Sequence, residues 1–423
     1  MNPQLNLFSV QSYQADLFGA EYKTYLPTTP LVSGPIEFRV KDSREYYDLS
    51  ETILAVSVKI VNGDNNAVPV ENGKDDVALV NNAMHSIFSD VQVFINGKPT
   101  EGVSDGFYPY RAYAYNLFSF SKETQVQQLF AHGFVRDDYK TMDLALNPAF
   151  TVRKSWNTNG AEKTFYGKLY CGMFLQDRLL VPGVEFELKL ERSKDAFSIF
   201  NTNALLKPKV VITKASLQLL SIKMNPALLE EHAITLDRGI PAIYEINRVE
   251  IDTIPIKAKT TEEIKDELFH MRVPKYLLMF MVSNSAFHGD YTKNPFNFQH
   301  FNLKSLQVTR DDKNIPYDRF VPDFKTGDCL REFMSQYQSN NLLGKNAVLP
   351  ITYDEFQSGY TVFQWNLSDN RRGTNAGPYQ RANLKVNIAF AEPTPEAIVL
   401  VMYGIFESQI QVFGDDRVVV DGV

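Results

Sequence analysis

The sequence predicts an all-β chain built as two β-sandwiches in tandem, each with one helix inserted at the same point. Three observations carry that prediction: clean strand patterns along most of the chain, Asn-Gly turn signals between them, and a strand–turn–helix plan that occurs twice. At 423 residues, 44% hydrophobic and 22% charged, the chain is too long for one ordinary core and has a globular composition. Aromatic residues make up 13%, from 30 Phe and 21 Tyr against 2 Trp, which suits packed sheets.

The strand patterns are of two kinds. Val184, Phe186, Leu188 and Leu190 alternate with Glu185, Glu187, Lys189 and Glu191, and Leu384, Val386, Ile388 and Phe390 alternate in the same way. Such segments put one face on a core and the other in water. The runs from Tyr276 to Val282 and from Ile398 to Phe406 are apolar throughout and read as strands covered on both faces. Asn-Gly pairs at 62-63, 72-73, 96-97 and 159-160 are strong hairpin signals. Strands at this density with such turns predict sandwiches or barrels rather than βαβ units.

The repeated plan divides the chain. Behind Pro109, Tyr110, Tyr113, Ala114 and Leu117 fall at i, i+3, i+4 and i+7, one face of a helix that follows the strand from Val91. In the second half, Leu306 and Val308 point inward on a strand, a polar turn and a Pro-marked loop follow, and Leu330, Phe333, Met334 and Tyr337 take the same spacing. The offset is roughly 215 to 220 residues, about half the chain. Each half then closes on a long strand pattern, Val210 to Met224 and Ala397 to Phe413. The organisation expected is an N-terminal arm over 1–30, a first sandwich over 31–224, a linker helix over 225–239 ending at Gly239, and a second sandwich over 240–423. In the arm, Leu5, Phe8, Tyr13 and Leu17 stand at loosely helical spacing, as a segment that docks on a neighbouring subunit or frays.

The chemistry expected is sparse. A net charge of −7 argues against gripping phosphates, so no sequence-specific nucleic-acid binding is expected. Cys171 and Cys329 stand alone, giving neither a disulfide framework nor a metal cluster, and two cysteines in a chain of this size fit a reducing compartment. His85, His132, His232, His270, His288 and His300 lack ligand spacing. No phosphate loop, dinucleotide fingerprint or nucleophile elbow is present, and no signal peptide is read at the N-terminus. The longest apolar runs are about half a membrane span. Glu187-Leu-Lys189, the Gly414-Asp415-Asp416 turn and the Arg310-to-Lys313 tip read as solvated charge and turns. The chain is therefore expected to be neither an enzyme nor a cofactor binder. The tyrosine helix reads as packing, because nucleic-acid stacking would need more cations than Arg111.

Two segments are more specific than composition. Leu190 to Phe200, with Arg192, Ser193, Lys194, Asp195, Ala196 and Phe197, and Asn284 to Leu303, with Tyr291-Thr292-Lys293-Asn294-Pro295-Phe296-Asn297-Phe298, resemble the major capsid proteins of Polinton (Maverick) elements and related adintovirus-like DNA viruses. Val80 to Pro99 and Tyr108 to Tyr113 share the resemblance, which runs in order from about Val80 to about Phe406. It implies a double jelly-roll, two tandem eight-stranded sandwiches with a helix lying against each. It also implies homotrimeric, pseudo-hexagonal capsomers tiling an icosahedral shell, with penton and minor capsid proteins as partners. The expected setting is a virion assembled in host cytoplasm or nucleus; whether a membrane takes part is left open.

Contacts are expected through the connections Val61 to Val80, Arg136 to Gly160, Ser283 to Phe301 and Asn340 to Gln357. Tyr291, Asn294, Phe296, Asn297 and Phe298 are expected at a roll–roll or trimer interface; the alternative is that they only order their own loop. A competing function is a carbohydrate-binding or glycan-active tandem sandwich, which would need exposed aromatics in a groove and has only Trp156 and Trp365 to offer. A minor virion component is the third reading.

Overall fold

Among the described residues, sixteen main strands form two copies of one eight-strand pattern. The computed structural model describes residues 17–41, 44–63, 68–69, 77–101, 106–157, 160–346, 348–368 and 381–421. The first roll contains β1 (Leu17–Tyr25), β2 (Ile36–Val40), β3 (Tyr46–Asn62), β4 (Phe88–Ile95), β5 (Lys98–Pro99), β6 (Lys163–Gly167), β7 (Phe186–Arg192) and β8 (Pro208–Met224). The second contains β9 (Ala242–Ile256), β10 (Glu262–Lys265), β11 (Tyr276–Ser283), β12 (Leu303–Arg310), β13 (Lys313–Phe320), β14 (Val362–Asn366), β15 (Leu384–Phe390) and β16 (Ile398–Val412).

In the first roll the antiparallel sheets run β1-β8-β3-β6 and β2-β7-β4-β5. In the second they run β9-β16-β11-β14 and β10-β15-β12-β13. Adding eight to each strand number of the first roll gives the second, so the repeat is one of topology and the fold is a double jelly-roll. Strand β7 buries Phe186, Leu188 and Leu190, and β15 buries Leu384, Val386, Ile388 and Phe390. Strand β11 is buried from Leu277 to Ser283, as its unbroken apolar run predicts.

The helices sit where the plan puts them, in the connection between the fifth and sixth strand of each roll. They are α1 (Tyr108–Ser119) and α3 (Leu330–Ser339), with α2 (Pro226–Asp237) joining the rolls; the first roll's connection carries further helices that the sequence reading did not expect, among them Pro148–Trp156. At Asn96-Gly97 both residues take positive φ, 49° and 72°, the twist-matched geometry of a two-residue hairpin. The pairs at 72-73 and 159-160 fall wholly or partly outside the described residues. Trp156 and Trp365 are both buried, so neither serves as an exposed groove aromatic. Glu187 pairs with Arg39 at 3.3 Å and Lys189 with Glu191 at 2.7 Å, on the outer face.

Three expectations need correction. Residues Leu17–Tyr25, assigned to the arm, are the edge strand of the first roll, paired along their length with β8; a chain with little alternation of burial hid them. Leu5, Phe8 and Tyr13 lie outside the described residues. The Pro-marked loop after β12 is instead β13, a full strand. In α3 the stripe does not all pack: Leu330 is 56% exposed, while Glu332, Phe333, Ser335 and Gln336 are the buried residues.

One segment stores strain. Glu267, Phe269, His270 and Met271 all have φ between 51° and 64°, a left-handed turn that costs roughly 1–2 kcal/mol per residue with a Cβ. It is held by Phe269, buried edge-on against Phe406 at 5.5 Å over Gly404, where an added Cβ would come within 3.0 Å of the Phe269 ring. His270 is exposed. His270→Gly is expected to raise unfolding stability by about 0.5–1 kcal/mol, read from the denaturant midpoint.

Candidate functional site

The tyrosine helix and the two segments that carry the resemblance converge on the joint between the rolls. Helix α1 opens with Pro109 in its first turn, where the missing N–H costs nothing. It drives Tyr110 and Tyr113, each at most 1% exposed, out of the first roll and into the core of the second. Tyr113 lies flat on Phe296 with centroids 4.1 Å apart and planes 9° apart. Tyr110 stacks on Phe287 at 5.6 Å and meets Phe296 edge-on at 5.8 Å. Phe298 packs on Phe280 at 4.2 Å and meets Tyr113 edge-on. Phe197 completes the cluster, edge-on to Tyr110 and Phe296. Leu117 is fully buried in the same core. The Tyr110 hydroxyl is buried with no hydrogen-bond partner among the described residues, which leaves its desolvation uncompensated.

The two segments that carry the resemblance therefore pack on each other. Arg192 donates to the carbonyls of Gly34 at 3.0 Å and Leu31 at 2.5 Å. Ser193 donates its N–H to Ile87, Lys194 opens the short helix Asp195–Ser198, and Asp195 accepts the Val210 N–H at 2.8 Å. Burial raises the Asp195 pKa against that hydrogen bond. This frame sets Ala196 and Phe197 against Gly289 of the second roll, where an added Cβ would lie 3.1 Å from the Phe197 nitrogen. From the other side, the Tyr291 carbonyl accepts the Asn201 N–H at 2.6 Å and its hydroxyl donates to Pro208 at 3.1 Å.

A polar ring surrounds the aromatics. Asn294 donates its N–H to Asp143 at 2.7 Å and its side-chain amide to Asp137 at 3.2 Å; Asn297 donates to Asp143 at 2.5 Å. Burial raises the Asp143 pKa, partly offset by those donors. Asp137 is buried, pairs with Arg153 at 2.8 Å and takes the Asn81 amide, while its carbonyl accepts the Tyr360 hydroxyl at 2.8 Å. Arg136 of the first roll grips both carboxylate oxygens of Glu355 at 3.0 Å and lies 4.6 Å above the Tyr360 ring. Burial opposes the Glu355 charge, but Arg136, the Thr352 N–H and Lys122 outweigh it and hold the pKa below the usual range. Gly359, at φ 78°, leaves room for the Tyr139 backbone, since a Cβ there would sit 3.0 Å from its carbonyl oxygen.

The opposite end of the pair is also fastened. Tyr244 accepts the Val181 N–H at 3.0 Å and donates to Leu179; Arg178 donates to Ile243, and Asn96 to Asp416. Tyr244, Ile246, Ile410, Val412 and Val418 belong to the first roll's core. Arg111, the lone cation of the tyrosine helix, is buried in an ion pair with Glu101. Of the α3 residues, Phe333 is buried, Met334 and Tyr337 are half-buried, and Leu330 lies on the surface. Sequence reading missed Arg136, Asp137, Glu355, Gly289 and Gly359. A run such as Arg-Asp-Asp resembles a solvated turn, and of these residues only Gly289 lies inside a segment that the sequence singled out by resemblance. Among the described residues no group of three or more His, Cys, Asp or Glu is placed to hold a metal ion.

Beneath α1 lies a pair of buried histidines. His85 touches the Tyr108 hydroxyl at 2.9 Å and His132 at 3.4 Å, and stacks on Tyr170 at 4.8 Å; His132 meets the Tyr170 hydroxyl at 3.2 Å. Burial, with the neighbouring His132, pulls the His85 pKa well below 6.5, and burial pulls His132 down to about 4.

No protein-family model matches the chain. A Caenorhabditis elegans protein, uncharacterized protein F54H12.2, is 23% identical over 393 residues, 90% of this chain and 91% of its own. Among solved structures, the cryo-EM structure of the Sputnik virophage matches with TM-score 0.63 at 12% identity, over 100% of this chain and 92% of that one. The mavirus major capsid protein matches with TM-score 0.59 at 13% identity, over 99% and 93%. The PBCV-1 virus capsid matches with TM-score 0.56 at 11% identity, over 98% and 99%. The likeness spans both rolls in each case. It makes this a double jelly-roll protein, with the fold of viral and virophage capsid structures.

Two outcomes follow from the joint. Phe296→Ala opens a cavity between the rolls and is expected to cost about 3–5 kcal/mol, read by chemical unfolding. The buried histidines are neutral in the fold and gain protons on unfolding below 6.5, so stability falls as pH drops from about 6.5 to about 4. His132 alone contributes roughly 3 kcal/mol of that loss, and His132→Gln should flatten the slope of unfolding free energy against pH over that window.

Proposed function

We propose that this chain is a structural capsid protein of the Polinton/Maverick and adintovirus-like lineage, and that its work is geometric rather than catalytic. The observation that carries the reading is the fusion of two topologically identical rolls through one shared aromatic core. A shell protein needs a unit that tiles by itself, and two like rolls held side by side present similar edges at regular intervals. Three such chains around a threefold axis place six similar rolls in a ring, a pseudo-hexagonal block that packs a surface without gaps. The capsid structures with this fold, matched over nine-tenths or more of both chains, support the same reading. So does the packing of the two resemblance segments on each other, because a sequence signature that builds the roll–roll joint is one a tiling block must keep.

Within this reading the chain's first partner is itself, as a homotrimer, followed by contacts between trimers and with penton and minor capsid proteins. Its place is the virion. Interfaces within the trimer should bury on the order of 2,000–5,000 Å², with smaller and wetter contacts between trimers, which let errors in assembly anneal.

The test is the purified full-length chain, examined by light scattering after sizing and by negative-stain microscopy. Trimers with hexagonal outline, or closed shells, are expected. A dispersed monomer at all concentrations would overturn the proposal.

A further inference from the structure

A cleft of about 480 Å³ opens at the edge of the joint, within the range of about 300–1,000 Å³ that small-molecule sites occupy. The first roll lines it with residues 139–144, and the second with residues between 297 and 302, with 358–359 and with residues between 392 and 395. The charged groups along it already have partners. Glu392 pairs with Lys325, and Asp143 accepts the Asn294 N–H and the Asn297 amide. The Lys140 ammonium lies 5.3 Å from the centre of the Tyr139 ring.

The uncharged polar groups do not. The Tyr139 hydroxyl and the side-chain amides of Gln299 and Asn302 have no hydrogen-bond partner among the described residues. His300 is held in place: its ring stacks on Phe324 with centroids 4.2 Å apart and planes 11° apart, and its Nδ1 accepts the Asn302 N–H at 3.0 Å. Burial pulls its pKa down to about 4, so near neutrality the ring is uncharged and carries its proton on Nε2, a fixed donor. The backbone beside it is strained. Phe301 and Asn302 take φ of 45° and 51°, a left-handed pair fixed by the buried Phe301 ring and by the Asn302 carbonyl, which accepts the Ala391 N–H at 2.8 Å. Strain of this kind persists only where the surroundings over-determine it, and it gathers at ligand sites.

We propose that this cleft is a binding site for a neutral oligosaccharide. A charged ligand finds no free counter-charge here, because the charges of the cleft are taken up. A sugar hydroxyl is at once donor and acceptor, and a side-chain amide presents one of each. Gln299, Asn302, Tyr139 and His300 bring such groups to one cavity. Pro393, Pro395 and Leu144, the last 48% exposed, supply apolar surface for the C–H faces of a sugar ring. The inference goes beyond the capsid reading and does not depend on it, since the site belongs to a single chain with its two rolls joined.

The experiment presents the full-length chain to an array of neutral, sialylated and sulfated oligosaccharides, and titrates the neutral one retained most strongly by saturation-transfer NMR. Two variants are compared with the wild type. Gln299→Ala removes one amide from a half-buried position, and Asn302→Gly removes the other while suiting the left-handed backbone, so both should keep the wild-type melting temperature. Each is expected to weaken binding by about five- to tenfold, and Leu205→Ala, outside the cleft and 91% exposed in the wild type, should leave it unchanged. A diazirine derivative of the same oligosaccharide should label wild-type peptides containing residues 139–144 or 299–302, a readout independent of any variant. Retention of no oligosaccharide, retention of charged ones alone, equal binding by both variants, or labelling elsewhere would overturn the inference and leave the capsid reading standing. A monomeric chain that binds the neutral oligosaccharide at these peptides would overturn the capsid reading and leave this one.

Discussion

The flat stack of Tyr113 on Phe296 is the contact on which the rest of the molecule depends. Each ring completes its burial against the other roll: Tyr113 leaves the first sandwich on α1, and Phe296 leaves the second on the connection after β11. Together they join residues of both rolls into one buried cluster. Large aromatic faces gain both from the area removed from water and from ring geometry. The surrounding amides, carboxylates and the Arg136–Glu355 pair then serve a different purpose. They satisfy the polar backbone that such a close approach would strand, and they fix which way the rolls face. Buried ion pairs are weak sources of stability, so the aromatics hold the rolls together and the polar ring sets their orientation.

Much of the architecture was legible because strands announce themselves. Alternation in β7 and β15, unbroken apolar runs in β11 and β16, and hairpin turns such as Asn96-Gly97 each follow from burial on one or two faces. The helix α1 was legible for the same reason, since its tyrosines keep a 3.6-residue period. β1 was not, because an edge strand that is mostly exposed on both faces carries no periodic record of burial. The burial of Glu332 and Gln336 in α3 was also hidden, because polar residues carry no apolar signal and only their hydrogen bonds to Val321 and Val362 show that they face inward.

The site itself was half visible. Phe296, Phe298, Asn294 and Tyr291 stood out as an Asn- and aromatic-rich loop with few charges, a composition that suits buried contacts. Arg136, Asp137 and Glu355 did not, because charged residues in long connections normally face solvent and only three-dimensional proximity reveals their partners. Gly289 and Gly359 matter for a reason that sequence seldom discloses: the space a side chain would occupy is filled by the other roll, by backbone at Gly289 and by the Met142 side chain and Tyr139 backbone at Gly359.

The rolls are fastened twice, by the aromatic stack at one end and by Tyr244, Arg178 and Asn96 at the other. A body fastened at two separate places resists both opening and sliding of its halves. Any curvature of a larger surface made from such bodies would then be taken up at the seams between them, leaving each unit as stiff as a paving stone.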